Sequence, residues 1–247
     1  MGLKRADVLL VECGLAESRV QAQRWISEGK VSAGGAAVTK ASQKFASDVA
    51  FTVRRDEQDR FVSRGGLKLA AALEKNYFPV TGVALDVGAS TGGFTDCLLQ
   101  SGIDRVVCVD VGHDQLAEKI RSDARVINYE GINARELPIE LLQHSNDGFD
   151  VVVMDVSFIS QTKILPGLPA FIKSGGWLVS LVKPQFEVGR DYIGKGGLVR
   201  DSSRYAIVES DIRNCAEAAG LKIVDFFDSP IEGGDGNREF LLIATRP

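Results

Sequence analysis

The stretch Leu85-Asp86-Val87-Gly88-Ala89-Ser90-Thr91-Gly92-Gly93-Phe94-Thr95 decides the fold class of this 247-residue chain. The apolar run 83–87 predicts a short buried strand, and 94–100 predicts a helix. Glycines between them let the backbone turn tightly and approach a ligand closely, because no Cβ stands in the way. A helix N-terminus at the carboxyl edge of a sheet is typical of nucleotide sites. Taken alone, the spacing fits a plain strand-to-helix turn equally well.

Composition places the chain among ordinary globular proteins. Hydrophobic residues make up 45% and charged residues 25%, which argues against disordered and fibrous classes. The four cysteines form no C-x-x-C pair and the two histidines lie far apart. We therefore expect a reducing, cytoplasmic location and no metal site. No apolar run approaches the roughly 18 residues of a membrane helix, so no membrane insertion is expected.

Charge is distributed unevenly between a head, residues 1–60, and a body, residues 61–247. The head holds ten Lys and Arg against eight Asp and Glu, and the body holds 19 against 25. This pattern suggests that the head meets an anionic partner. A charged, apolar-free connector ends the head, so we place the domain boundary near residue 60 and the linker at about 54–63.

The head carries two predicted helices followed by short strands, with Ser18 as the N-cap of the second helix. Ser18, Arg19, Gln23, Arg24 and Lys30 gather polar and cationic groups that could contact phosphates, although a solvated helix face would look the same. Arg5-Ala6-Asp7, Leu15-Ala16-Glu17-Ser18-Arg19, Ala22, Ile26 and Gly29-Lys30-Val31 together resemble the S4-type RNA-binding domain. The resemblance implies RNA contact through Ser18, Arg19, Gln23 and Lys30, to which we add the motif arginines Arg5 and Arg64.

In the body, predicted strands alternate with helices. The strands are 83–87, 105–110, 125–129, 149–155, 177–183, 222–228 and 238–245. The helices lie at about 64–76, 94–101, 114–122, 134–143, 161–173 and 203–219. This alternation predicts right-handed β-α-β units and a doubly wound α/β sheet with helices on both faces. The glycine-rich segment 233–236 leaves no room for a helix, so the last two strands are expected to form a hairpin.

Polar residues fall where four of these strands end: Asp86, Asp110, Asp155 and Lys183. Ligands bind at this edge in open α/β sheets. Asp110 follows the glycine turn by about 20 residues, the spacing at which a carboxylate meets ribose hydroxyls. A dehydrogenase would share this feature, but the turn has Gly-x-x-x-Gly-Gly rather than Gly-x-Gly-x-x-Gly. No Gly-Lys-Ser/Thr follows, which excludes a P-loop.

The Asp-x-Gly-x-x-x-Gly-Gly-Phe-Thr form with seven strands resembles the S-adenosylmethionine-dependent methyltransferases, especially the FtsJ-like RNA 2′-O-methyltransferases. The resemblance implies a seven-stranded Rossmann-like methyltransferase sheet. The 88–93 loop would cradle the methionine part of the cofactor. The cofactor-binding residues of this stretch would be Asp86, Gly88, Ala89, Ser90, Thr91, Gly92, Gly93 and Phe94. Asp110 would hold the ribose hydroxyls, and Asn133 would lie near the adenine.

A candidate catalytic set follows from the chemistry of methyl transfer to a ribose hydroxyl. That hydroxyl must become more nucleophilic, and a neighbouring cation lowers its pKa. Carboxylates would hold the cations in place. Lys68, Asp155, Lys183 and Glu239 occur in the order of the Lys-Asp-Lys-Glu tetrad of FtsJ-like enzymes. Each of these residues alone could be an ordinary surface lysine or sheet-end acid, but together they match the order of the tetrad. Lys183 is the predicted deprotonating or charge-steering group.

Several motifs narrow the resemblance to the TlyA family, which joins an S4-type head to an FtsJ-like body. They are Val62-Ser63-Arg64-Gly65-Gly66, Asp155-Val156-Ser157-Phe158, Lys183-Pro184-Gln185-Phe186-Glu187 and Asn237-Arg238-Glu239-Phe240. The family implies cytidine 2′-O-methylation of ribosomal RNA in one or both subunits, and carries an older label of haemolysin. Two alternatives stay open: a non-catalytic RNA-binding assembly factor, and a cytolysin. The glycine-rich segment 189–198 is interpreted as a mobile loop that could close over RNA, or as a plain connector.

Overall fold

Two compact units make up the chain in a computed structural model that describes residues 2–16, 18–234 and 236–247. The first unit is Met1–Arg60 with Ala117–Lys119, and the second is Phe61–Leu116 with Ile120–Pro247. Among the residues described, no helix combines the length and the apolar character needed to cross a membrane. Each unit has its own arrangement of helices and strands.

The first unit packs two helices beside short strands. Helix α1 is Ala6–Glu12 and helix α2 is Arg19–Ser27, whose N-cap Ser18 accepts a hydrogen bond from the backbone N–H of Gln21. The strands are β1 (Lys4–Arg5), β2 (Val31–Ala33), β3 (Ala36–Ala37), β4 (Lys44–Phe45) and β5 (Phe51–Val53). Strand β2 pairs antiparallel with β3 and β5, and β1 pairs antiparallel with β4. The buried residues of this small core include Leu10, Trp25, Ile26 and Val31.

The second unit is built on a seven-stranded sheet, which confirms the predicted fold class. Its strands are β6 (Val83–Val87), β7 (Arg105–Asp110), β8 (Val126–Glu130), β9 (Phe149–Met154), β10 (Ile172–Val182), β11 (Lys222–Asp228) and β12 (Phe240–Thr245). Their order is β11-β12-β10-β9-β6-β7-β8. Strands β10, β9, β6, β7 and β8 are parallel neighbours. Strand β12 runs antiparallel between β10 and β11, as the short connection predicted. Asp235, in the predicted turn, lies outside the described residues.

The antiparallel pairing of β12 decides which charges meet. Val182, the last residue of β10, pairs with Phe240, the first residue of β12. The residue after β10 and the residue before β12 therefore lie at the same edge of the sheet. These residues are Lys183 and Glu239, and Asp155 follows β9 next to them in the strand order.

The helices of this unit depart from the prediction where proline occurs. The regular helices among the described residues of 61–247 are α3 (Gly65–Leu73), α4 (Gly93–Gln100), the single-turn α5 (Glu118–Arg121), whose first two residues belong to the first unit, and α6 (Arg204–Ala218). The predicted helices at 134–143 and 161–173 are wrong, because short 3₁₀ segments replace them at Ala134–Glu136, Ile139–His144, Gln161–Lys163 and Leu165–Ala170. Pro138 precedes one segment and Pro169 lies inside another. A proline lacks the N–H of an α-helical turn and its ring clashes with the preceding turn.

Candidate active site

The glycine turn brings the backbone of two neighbouring strands together. Gly88 follows β6 with a φ of +84°, and a Cβ at this position would lie 2.5 Å from the carbonyl oxygen of Asp155. Gly92, with a φ of +93°, is the N-cap of α4. Residues with a side chain rarely adopt such angles. Glycine is therefore required at both positions to start α4 at the sheet edge.

Two clefts meet at this turn. The first, which we call the glycine-turn cleft, has a volume of about 230 Å³ and is lined by Ser63, Arg64, Gly65 and residues 88–91, 93 and 94. The second, which we call the apolar cleft, has a volume of about 430 Å³ and is lined by Asp110, Ile132, Asn133 and residues 155–159. Both clefts share Gly88, Ser90 and Asp155. Eight of the ten predicted cofactor residues thus line one continuous groove, and Asp86 and Gly92 do not line either cleft.

Asp110 lines the apolar cleft, and two backbone N–H groups fix its carboxylate. Its Oδ2 accepts a hydrogen bond from the backbone N–H of Ser90 at 2.8 Å, and its Oδ1 accepts one from that of Gly112 at 2.7 Å. Asn133, which lines the same cleft, caps a 3₁₀ segment by accepting a hydrogen bond from the backbone N–H of Arg135 at 3.0 Å. A carboxylate oxygen has a further lone pair beyond each of these bonds. Asp110 can therefore accept hydrogen bonds from hydroxyl groups while it keeps its bonds to the backbone of Ser90 and Gly112.

Asp86 lies beneath the turn and lines neither cleft, so its contact with the cofactor stays a prediction. The residue is fully buried, and its Oδ2 accepts a hydrogen bond from Thr95 Oγ1 at 2.6 Å. Its Oδ1 has no hydrogen-bond partner in the described part of the chain. Burial raises the pKa of Asp86 to about 7, and the Asp155 carboxylate adds to the shift. Asp86 therefore supports α4 from below through Thr95.

Two ion pairs bring the four predicted catalytic residues to one place. Nζ of Lys68, a residue of α3, lies 2.5 Å from Oε2 of Glu239, and both side chains are buried. Lys183 Nζ lies 2.5 Å from Asp155 Oδ1 and donates a hydrogen bond to Ser157 Oγ at 2.9 Å. Charges taken out of water are normally paired. Each lysine is thus held by a carboxylate supplied by a distant part of the chain.

A third cleft, which we call the lysine cleft, lies between these pairs. Its volume is about 300 Å³, and its walls include Lys68, Lys183, Glu239, Gln185 and Ile193. It shares Lys68 with the glycine-turn cleft, and Ser157 and Phe158 with the apolar cleft. The three clefts therefore adjoin one another, and the ion pairs lie where they meet. Among the described residues, no group of three or more His, Cys, Asp or Glu could hold a metal ion.

Sequence reasoning assigned no role to two residues of this junction, Ser157 and Phe158. Ser157 accepts the hydrogen bond from Lys183. Phe158 is 91% exposed, has a φ of +65° and lies 5.1 Å from the ring of Phe186. Left-handed backbone is unusual for a bulky residue and often marks a functional site. The sequence signals were their position directly after Asp155 and their place in the Asp155-Val156-Ser157-Phe158 motif.

A buried polar network joins the segment after Asp155 to the segment around Lys183. Glu187 accepts hydrogen bonds from Ser160 Oγ at 2.5 Å and from the backbone N–H of Gln161 at 2.9 Å. The Gln161 side chain bonds the Leu181 carbonyl and accepts from Ser180 Oγ at 2.7 Å. Burial raises the pKa of Glu187, although these hydrogen bonds oppose the shift. The sequence contains these residues but no pattern that predicts this network.

The glycine-rich segment 189–198 forms part of one wall of the lysine cleft. Ile193 forms a bridge with Val199, and Ile193 and Gly197 line the cleft. Asn237 is buried, donates to the Gly197 carbonyl at 3.0 Å and accepts from the Val199 N–H at 3.1 Å. These bonds attach the segment beside Glu239. Its closure over RNA stays a prediction.

The predicted RNA contacts of the head fall into two classes. Arg5, Ser18, Arg19 and Gln23 are at least partly exposed, and Ser18 also caps α2. Arg64, in the body, is exposed and lines the glycine-turn cleft. Glu17, which belongs to the matched motif, lies outside the described residues.

Lys30 differs from the other four head residues because its ammonium is buried. It lies 2.8 Å from Asp59, 3.1 Å from Asp56 and 2.7 Å from Glu28. Burial lowers the pKa of Lys30, but the three carboxylates outweigh this and raise it above its usual value. Burial would raise the pKa of Asp59, yet Lys30 and Trp25 bring it to about 2. An ammonium already held in this way is a poor phosphate contact, so we leave Lys30 out of the candidate RNA surface.

Comparison with known proteins agrees with this two-part architecture. Residues 61–246 match the FtsJ-like methyltransferase family, and residues 4–49 match the S4 domain family. The 16S/23S rRNA (cytidine-2′-O)-methyltransferase TlyA of Mycobacterium tuberculosis is 42% identical over 96% of this chain and 88% of the relative. Hemolysin A of Brachyspira hyodysenteriae is 40% identical over 96% of this chain and 98% of the relative.

Solved structures show the same fold. One from Streptococcus thermophilus, described as a candidate hemolysin, superposes with a TM-score of 0.76 at 40% identity, covering 100% of this chain and 89% of that chain. The fibrillarin pre-rRNA processing protein of Methanococcus jannaschii superposes with a TM-score of 0.54 at 21% identity, covering 72% of this chain and 74% of that chain. The second likeness concerns the fold alone.

Proposed function

Because the chain belongs to the FtsJ-like methyltransferase family and carries an S4 domain ahead of that body, we propose that it methylates ribosomal RNA. The methyl group would come from S-adenosylmethionine and go to a ribose 2′-hydroxyl, that of cytidine in particular. Support for cytidine comes from the relatives, since that nucleoside appears in the name of the Mycobacterium tuberculosis protein. The head would grip folded RNA while the body performs the transfer.

The observation that carries this proposal is the pair of ion pairs at the junction of the three clefts. Lys68–Glu239 and Asp155–Lys183 place two ammonium groups beside a groove that can take a cofactor. Positive charge fixed where an alkoxide develops lowers the barrier to its formation. A protein that only bound RNA would have no need of two ammonium groups confined in a cleft.

The residues along the groove fit S-adenosylmethionine. The apolar cleft offers Ile132, Val156 and Ile159 to a flat base, and Asp110 at its rim accepts ribose hydroxyls. The glycine-turn cleft is small and polar, and a Cβ at Gly88 in its lining would clash with the carbonyl oxygen of Asp155. When bound, the cofactor supplies an electrophilic methyl group. Its methionine part would lie along residues 88–94, toward Lys68 and Asp155.

The side chains of the lysine cleft would prepare the hydroxyl. Lys183 is oriented by Asp155 and Ser157, so that its Nζ can reach the 2′ oxygen and stabilise the negative charge left as the hydroxyl proton passes to solvent. Lys68, fixed by Glu239, adds a second positive charge on the side of the glycine-turn cleft. Holding the oxygen in line with the methyl group removes much of the entropic barrier.

Tritiated-methyl transfer to purified ribosomal RNA tests the proposal. The wild-type chain should label RNA at ribose, and Lys183→Ala should abolish labelling while calorimetry still detects cofactor binding. Normal turnover by Lys183→Ala would refute the mechanism. A wild-type chain that binds both RNA and cofactor but transfers no methyl would instead be a non-catalytic assembly factor.

A further inference from the structure

Three predicted RNA-contacting side chains of the head share one buried acid. Asp7, in the first turn of α1, is fully buried. Arg5 binds it through two parallel hydrogen bonds, from Nε to Oδ1 at 2.9 Å and from Nη2 to Oδ2 at 3.0 Å. Arg19 Nη2 donates to Oδ2 at 3.1 Å, and Gln23 Nε2 donates to the same oxygen at 2.7 Å. The three side chains therefore converge on one carboxylate.

The acid is buried, whereas the two arginines that bind it are exposed to solvent. The side chain of Asp7 has no exposed surface, whereas those of Arg5 and Arg19 are 42% and 56% exposed. The hydrogen bond from Arg5 keeps the pKa of Asp7 well below its usual value, so the carboxylate stays charged at physiological pH. A mobile anion therefore meets the two arginines and not the acid between them.

Each guanidinium keeps donors for a partner outside the protein. A guanidinium has five N–H donors, and the bonds to Asp7 use two from Arg5 and one from Arg19. Arg19 and Gln23 stand four residues apart on α2, so they lie on one face of that helix. Charged donors at a fixed separation on rigid elements are suited to successive phosphates of a nucleic acid.

We propose that Asp7 is a positioning residue for RNA, which holds Arg5, Arg19 and Gln23 as one preformed receptor for backbone phosphates. The inference deepens the proposed function and rests on it. Long arginine side chains lose conformational freedom when they bind a ligand. Asp7 removes that freedom before RNA arrives, so the arginines bind phosphate at a smaller entropic loss.

Replacing Asp7 by a neutral residue tests the proposal, because positioning and simple charge predict opposite changes in the affinity for RNA. Asp7→Asn makes the net charge more positive by one unit, and long-range electrostatics alone would tighten RNA binding. Positioning predicts the opposite result, since a neutral amide cannot hold two guanidinium groups. The matched control is Asp48→Asn, which removes one exposed acid of the same unit and should leave binding equal or slightly tighter.

The measurement uses the full-length chain and end-labelled bacterial ribosomal RNA in filter binding at several salt concentrations. Asp7→Asn should raise the Kd about tenfold and flatten the salt dependence by roughly one to two units, as expected when one or two phosphate contacts are lost. In the transfer assay the KM for RNA should rise, while kcat and the affinity for S-adenosylmethionine stay unchanged. Equal or tighter RNA binding by a folded Asp7→Asn chain would overturn the inference.

A second variant decides the matter if Asp7→Asn fails to fold. Arg5→Lys keeps the charge of an exposed residue but cannot make the two parallel bonds to Asp7. It should lose nearly as much affinity as Arg5→Ala. Wild-type affinity in Arg5→Lys would overturn the inference, because charge alone would then suffice. A wild-type chain with no salt-dependent RNA binding would refute the proposed function instead.

Discussion

Two of the ionic clusters among the described residues, one around Asp7 in the head and one around Lys68 and Lys183 in the body, are built in opposite ways. In the head, a fully buried acid, Asp7, holds exposed arginines. In the body, Lys68 is buried with its partner Glu239, and Lys183 is 12% exposed beside Asp155. Exposed cations suit a large polyanion met over a broad surface. Confined ammonium groups suit one oxygen atom that must be held in place. In these two clusters, we infer that the exposed charges serve RNA affinity and the confined charges serve chemistry.

Removing Lys68 should give the largest effect and would test the chemical half of this comparison. Lys68→Met leaves Glu239 buried without its cation, and breaking such a pair destabilises a protein by about 3–5 kcal/mol. Loss of a positioned electrostatic group should also slow methyl transfer by at least ~100-fold. Thermal melting and the transfer assay measure the two effects separately.

The double variant Lys68→Met/Glu239→Leu is the control for this prediction. Because it removes both buried charges, it should recover much of the stability but none of the activity. Recovered activity would mean that the pair serves only the fold.

Lys30→Met should separate burial from chemistry in the head. This buried ammonium contacts Asp59, Asp56 and Glu28, so its removal should lower the free energy of unfolding by about 3–5 kcal/mol. Neither kcat nor the Kd for RNA should change at temperatures where the chain is folded. Arg19→Ala is the matched comparison and should weaken RNA binding with little loss of stability. Weaker RNA binding by folded Lys30→Met would return Lys30 to the RNA surface.

Asp86 provides a third case, a buried acid whose Oδ2 accepts a hydrogen bond from the Thr95 hydroxyl. Its pKa is raised to about 7 from 3.8, so the folded state binds more protons than the unfolded state between these values. The stabilising contribution of Asp86 to the free energy of unfolding is therefore fully present below about pH 4, and it decreases as the pH rises toward 7. The loss should be about 2 kcal/mol between pH 5 and pH 7. Asp86→Asn should lack this slope when melting is followed at both pH values, and an unchanged slope would contradict the assignment.

Glu187→Gln should give the smallest effect, and it tests whether the hydrogen bonds of Glu187 help to position Lys183 in the lysine cleft. The change weakens the bonds to Ser160 and Gln161 that hold the segment after Asp155 near Lys183. A slight misplacement of Lys183 should reduce kcat by about threefold to tenfold while the KM for S-adenosylmethionine stays constant. Glu209→Gln, on the surface of α6, is the control and should leave kcat unchanged. An increase in KM alone would assign Glu187 to cofactor binding.

The sequence by itself determined the fold class and the edge of the sheet where the charges lie. Near-continuous apolar runs such as 106–109 and 151–154 predict buried strands, and the glycine turn predicts the start of α4, because these signals are local. Proline was a local signal as well, yet the apolar pattern at 161–173 predicted a helix where Pro169 allows only 3₁₀ turns.

Only the tertiary structure decided which charges pair and which are buried. Lys68 and Glu239 are 171 residues apart, and they meet because β12 runs antiparallel to β10. The same dependence on long-range packing buries Lys30 among three carboxylates and Asp86 beneath the turn. Residue type and spacing indicate that a group can carry charge. Its exposure and partners depend on distant parts of the chain, because desolvation and pairing are properties of the packed molecule.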